Sequence, residues 1–114
     1  MTRLTVRIDF EGSRRLGPGK IALLEAIGAT GSITGAAKAL GMSYRRAWVL
    51  LEETNALFTT PVSETAQGGR QGGGASLTSF GEEIVTRYRS VETALLRSAQ
   101  GDVRFLEQHL RAGG

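Results

Sequence analysis

The chain has 114 residues, a formal net charge of +3, 40% apolar residues and no cysteine. That length suits one compact domain with a modest core, and the missing cysteine excludes disulfides and thiolate metal sites. No apolar run is long enough to cross a bilayer, and Met1–Phe10 lacks the apolar stretch of a signal peptide, so a cytoplasmic protein with no membrane contact is expected.

Taken in chain order, Leu4, Val6, Ile8 and Phe10 alternate with polar residues, the period-two signature of a half-buried strand. Glu11-Gly12-Ser13 reads as a turn. Pro18 suits a first helical turn, where its missing N–H is no loss. Ile21, Leu24 and Ile27 follow at helical spacing, which predicts a helix over 18–29. Thr30-Gly31 breaks it, and Ser32 can cap a second helix running to Leu40 with Ile33, Ala36, Ala37 and Leu40 on one side. Gly41 supplies a left-handed turn. Ser43 caps a third helix, Tyr44 to about Leu57.

Beyond Phe58 the pattern changes to a hairpin. Val62-Ser63-Glu64-Thr65 suits one short strand, Ala75-Ser76-Leu77 another, and Gly68-Gly69-Arg70-Gln71-Gly72-Gly73-Gly74 is the loop between them. Thr78 then caps a last long helix, with Glu82 and Glu83 near its positive end. Phe80, Ile84, Tyr88, Val91 and Leu95 fall on one stripe. Gly101 is expected to interrupt that helix, and Asp102 to cap a final short one bearing Phe105, Leu106 and Leu110. The fold class is therefore mainly α with a small β-ribbon. It is a single winged helix-turn-helix domain, with the helix-turn-helix over about 32–58, the wing over about 61–77 and a C-terminal helical region over about 78–111.

Charge is unevenly distributed. Residues 1–51 carry eight basic side chains (Arg3, Arg7, Arg14, Arg15, Lys20, Lys38, Arg45, Arg46) against three acidic ones, and residues 52–114 carry six against eight. A basic half points to a polyanionic partner, and equally to a solvated surface with chance asymmetry. The segment from Ser32 to Trp48 sharpens the reading. A glycine turn at Gly41 and small residues at Ala36, Ala37 and Ala47 let two short helices cross steeply, so that the second projects its first turn outward into a major groove. That turn holds Ser43, Tyr44, Arg45 and Arg46. Arginine can bridge guanine O6 and N7 or grip phosphate, and the hydroxyls of Ser43 and Tyr44 can donate to phosphate oxygens. Ser32 and Thr34 open the supporting helix, where backbone contact is expected. The alternative is a helix hairpin with solvated arginines. A glycine-flanked Arg70, with Gln71 beside it, at the tip of a following β-ribbon favours DNA, because the glycines let backbone approach phosphate closely.

Other chemistry finds little support. The glycine run lacks the Gly-Lys-Ser/Thr of a phosphate loop. His109, the single histidine, lies near the chain end, and Glu52-Glu53 and Glu82-Glu83 read as solvated or helix-start charges. Trp48 reads as core or interface. No enzyme, cofactor or metal site is expected.

Residues 17–90 resemble the N-terminal domain of the ModE family of molybdate-responsive bacterial transcription regulators, and more loosely the LysR-type DNA-binding domain. The resemblance rests on Gly31-Ser32-Ile33, Ala36-Ala37, Gly41 to Trp48, the glycine-rich wing with Arg70 and Gln71, and Leu77-Thr78. It implies a homodimer joined through the first strand and the long C-terminal helix, binding a pseudo-palindromic duplex operator. Ser43, Tyr44, Arg45 and Arg46 would then face the groove and Arg70 would serve the wing. Ile84, Tyr88, Val91 and Leu95 would form a dimer seam, with an intramolecular core as the alternative. The resemblance also implies a link to molybdate homeostasis. These residues leave no room for the oxyanion-binding module of full-length members, so molybdate is not expected to act as effector by that route.

Overall fold

A computed structural model describes residues 2–66 and 74–113. Its elements are β1 (Ile8–Phe10), β2 (Arg14–Leu16), α1 (Pro18–Thr30), α2 (Ile33–Leu40), α3 (Tyr44–Leu57), β3 (Ser63–Ala66), β4 (Gly74–Leu77) and α4 (Ser79–Gln108). The arrangement is a mainly α winged helix-turn-helix with two small antiparallel hairpins and a long final helix. No helix among the described residues is long and apolar enough to cross a membrane.

The three internal caps form where the hydroxyls stand. Ser32 accepts from the Gly35 N–H, Ser43 from the Arg46 N–H and Thr78 from the Gly81 N–H. Each such cap is worth about 1 kcal/mol to its helix. Gly31 and Gly41 close α1 and α2 in the left-handed region, at φ 78° and 67°, where a side chain would be strained.

The core gathers on α1. Leu23, Leu24 and Ile27 meet Ile33, Ala36 and Ala37 of α2, Ala47 and Leu51 of α3, and Val62 and Ala75 beneath the wing. Burying each Leu or Ile is worth about 1.5–3 kcal/mol, so α1 is the hub that α2 and α3 dock on. A second cluster joins Val6, Leu16, Ile21 and Tyr88. In the wing, Ser63 pairs with Leu77 and Ala66 with Gly74. The Ala75 N–H donates to the Gly31 carbonyl at 2.8 Å, so the turn between α1 and α2 extends the hairpin by one rung.

Three expectations are corrected. The strand expected over Leu4–Phe10 pairs only over Ile8–Phe10, against β2. Val6 is buried, but Leu4 and Phe10 are 39% and 41% exposed. Strand donors need a partner, and the three residues of β2 offer no more; Arg14-Arg15-Leu16 has no apolar alternation to announce it. The first wing strand runs Ser63–Ala66 rather than Val62–Thr65, with Val62 buried just before it. Finally, α4 continues unbroken through Gly101 to Gln108, and Asp102 caps nothing. An exposed helical glycine costs only about 1 kcal/mol and, unlike proline, keeps its backbone donor.

Candidate nucleic-acid interface

The turn from α2 to α3 is built to hold its shape. The Gly41 N–H reaches the Lys38 carbonyl at 3.2 Å, and the Met42 N–H reaches that of Ala37 at 3.0 Å. Ala36, Ala37 and Ala47 are fully or nearly fully buried at the crossing, where larger side chains would push the helices apart. From this base the first turn of α3 stands out. Ser43, Tyr44, Arg45 and Arg46 are all exposed. Ser43 Oγ accepts from Arg46 at 3.1 Å, which leaves its O–H free to donate outward. Among the described residues, neither guanidinium takes part in an ion pair. Ser32 is likewise engaged as a cap, with Gly35 at 2.8 Å, and Thr34 beside it is exposed. Arg70 and Gln71, expected at the wing tip, lie outside the described residues.

Of the two places expected for Trp48, core or interface, its exposure excludes the core. Trp48 is 46% exposed, with Tyr44 at 54% and Val49 at 42%. The buried side of α3 is Ala47, Leu51 and Thr54; at about 100° per residue, Arg45, Val49 and Glu52 lie on the far side of the helix and Trp48 at the edge of that exposed arc.

The wing is tied to α3 by Asn55, a residue that sequence reasoning passed over. Its Oδ1 accepts from the Val62 N–H at 2.8 Å and from the Ser63 N–H at 3.3 Å. An asparagine inside a helix, where it lowers propensity, was the available signal. Thr78 closes the other side, donating its hydroxyl to the Pro61 carbonyl at 2.8 Å. Gly81 lets α4 sit against the same segment, since a Cβ there would lie 1.9 Å from the Val62 carbonyl oxygen.

The basic half of the chain does not converge on the reading turn. Arg14, Arg15 and Lys20 line a cleft with Ser13, Glu53, Ala56 and Leu57 near the other end of α3, leaving Lys38, Arg45 and Arg46 on the α2–α3 pair.

The apolar stripe of α4 divides. Tyr88 is buried, its hydroxyl donating to the Val6 carbonyl, and burial raises its pKa, with the Glu92 charge adding to the shift. Ile84 packs partly buried against both core clusters. Val91 and Leu95 are 39% and 45% exposed. Between these halves Arg89 grips Glu25 of α1 at 2.6 and 3.0 Å and Glu92 at 2.5 Å, which orients α4 on the domain.

No family model matches the chain. Over 83 residues, 73% of the chain, it is 43% identical to the molybdenum-pterin-binding protein MopB of Rhodobacter capsulatus, covering 31% of that protein. It is 42% identical over 93 residues, 80% of the chain, to the molybdenum transport protein ModE of Azotobacter vinelandii, covering 34% of it. It is 42% identical over 71 residues, 62% of the chain, to the DNA-binding transcriptional dual regulator ModE of Escherichia coli, covering 27% of it. The chain thus spans about a third of the length of the curated relatives it matches.

Proposed function

Since the chain carries a ModE-family domain, we propose that it is a sequence-specific DNA-binding transcriptional regulator that acts on duplex operator DNA, as a homodimer, in molybdenum handling. The observation that carries this reading is the exposed Ser43–Arg46 turn, held on a rigid helix crossing, with two guanidinium groups outside any ion pair among the described residues. In the proposal Arg45 and Arg46 contact a guanine edge and phosphate in the major groove. Ser43 and Tyr44 donate to the backbone, and Ser32 and Thr34 lie against the adjoining phosphates. Arg70 and Gln71 serve the wing.

Selection of bound duplexes from random DNA, followed by affinity measured across salt concentrations, tests the reading. Affinity should fall steeply with salt, at a log–log slope of about −0.9 per phosphate contacted. Arg45→Ala or Arg46→Ala should cost roughly 1–3 kcal/mol and relax preference at one base pair if that arginine reads guanine. A double variant with unchanged affinity would remove both residues from the interface. The second reading is a winged module that works through protein contacts, favoured by exposed Trp48 and the exposed apolar residues of α4. It requires that no duplex be selected and that its complexes resist salt.

A further inference from the structure

We infer that Trp48 extends the reading surface by a second turn and recognises the 5-methyl group of a thymine in the operator half-site. The inference rests on the DNA-binding reading above and names the base chemistry that its helix selects.

Trp48 is half exposed on a helix that buries Ala47, Leu51 and Thr54. It stands one turn beyond Tyr44 at the edge of the arc that carries Arg45, and the three side chains line one shallow hollow. Trp48 shares this hollow with exposed Tyr44, and apolar exposure clustered in this way marks an interaction surface where a single exposed residue would not. The occupant must satisfy its neighbours too. Arg45 flanks it on the N-terminal side, so a polyanion fits better than an apolar protein surface. The apolar reach is also bounded: the next turn brings Glu52 and Glu53, both exposed, whose charges repel phosphate. Cationic first turn, apolar second turn and acidic third turn together match a base edge that is read just inside the phosphate line. In a major groove the apolar feature of a base edge is the thymine methyl. Val49, 42% exposed next to Trp48, widens the same contact. The preferred half-site therefore carries a thymine adjacent to the base contacted by Arg45.

The test is methyl deletion. Thymines of the selected duplex are replaced one at a time by deoxyuridine, and binding is measured for the wild-type chain and for Trp48→Ala. The indole is exposed, so the variant keeps its fold; thermal unfolding of the free protein checks this. The wild-type chain should lose about threefold to tenfold in affinity at one thymine per half-site, and Trp48→Ala should bind the thymine and uracil duplexes alike there. Trp48 is the chain's single tryptophan, so its emission should also shift or quench on binding, and less with the uracil duplex. Specific binding with no methyl sensitivity at any thymine would overturn this inference and leave the regulator reading intact. So would sensitivity that survives in Trp48→Ala. Failure to bind any duplex specifically would overturn both.

Discussion

At the scale of single residues, the contacts that hold the reading helix in place are few and separable. Tyr88 joins α4 to the N-terminal segment through its bond to the Val6 carbonyl, and burial raises its pKa above the ordinary 10.0. The folded chain therefore keeps the phenol proton to higher pH than the unfolded chain does. That stabilisation is complete below the unfolded value near 10 and is lost as pH rises through the higher folded value. Tyr88→Phe should lower stability by about 1 kcal/mol at neutral pH and should flatten the alkaline decline. Urea unfolding at pH 8 and at steps above 9.5 checks this; equal slopes for the two proteins would show that another group governs the decline. Gly81 is a steric case. A methyl group there meets the Val62 carbonyl oxygen at 1.9 Å, so Gly81→Ala must displace the start of the wing or of α4. It should destabilise by about 1–3 kcal/mol or more, read as a fall in urea midpoint.

At the scale of elements, what the sequence disclosed follows from range. Ser32, Ser43 and Thr78 cap helices by reaching N–H groups three residues on, so pattern alone places them. Gly31 and Gly41 declare their turns in the same way. Asn55 reaches across to Val62 and Tyr88 to Val6, and no local period encodes either bond. For Trp48 the pattern leaves core and interface both open, and its exposure emerges only once Ala47 and Leu51 are seen to face the core. The split of the α4 stripe has the same origin: its spacing shows one apolar face but not where the domain beneath it ends. Gly101 misled, as a glycine read as a break in a helix that tolerates it. Among the described residues, and apart from the helix's own adjoining backbone, nothing lies within 4 Å of a Cβ built at Gly101. Gly101→Ala should therefore stabilise α4 by about 0.5–1 kcal/mol, with a raised helix signal in circular dichroism on heating. A loss of stability would mean that this part of α4 is not helical in solution. The paired substitutions at Gly81 and Gly101, chemically identical, should move stability in opposite directions.

At the scale of the whole molecule, α4 decides the shape. Its 30 residues span roughly 45 Å at 1.5 Å each, much of the 56 Å long dimension. Past Arg89 the N-terminal residues Thr2, Arg3 and Leu4 lie beside the helix at Leu96, Gln100 and Val103, while Val91, Leu95, Phe105 and Leu106 are each 39–64% exposed. A helix this apolar on one side is stable in water when that side is covered, and in the proposed homodimer a second copy covers it. Tyr88 has no share in such a seam, because it is already buried in its own chain, so the interface has to rest on Val91, Leu95 and the residues beyond. Leu95→Glu places a charge at that seam without touching the core. In a two-fold dimer the change counts twice, so it should weaken association by roughly 2–4 kcal/mol, a factor of roughly 30 to 1000. Sedimentation at graded concentrations would show the variant as monomer where the wild-type chain is dimer. Affinity for one half-site should be unchanged, whereas affinity for the palindrome should fall to that of a half-site. A wild-type chain that sediments as monomer at all concentrations would place the cover of α4 elsewhere and leave each recognition helix to bind DNA alone.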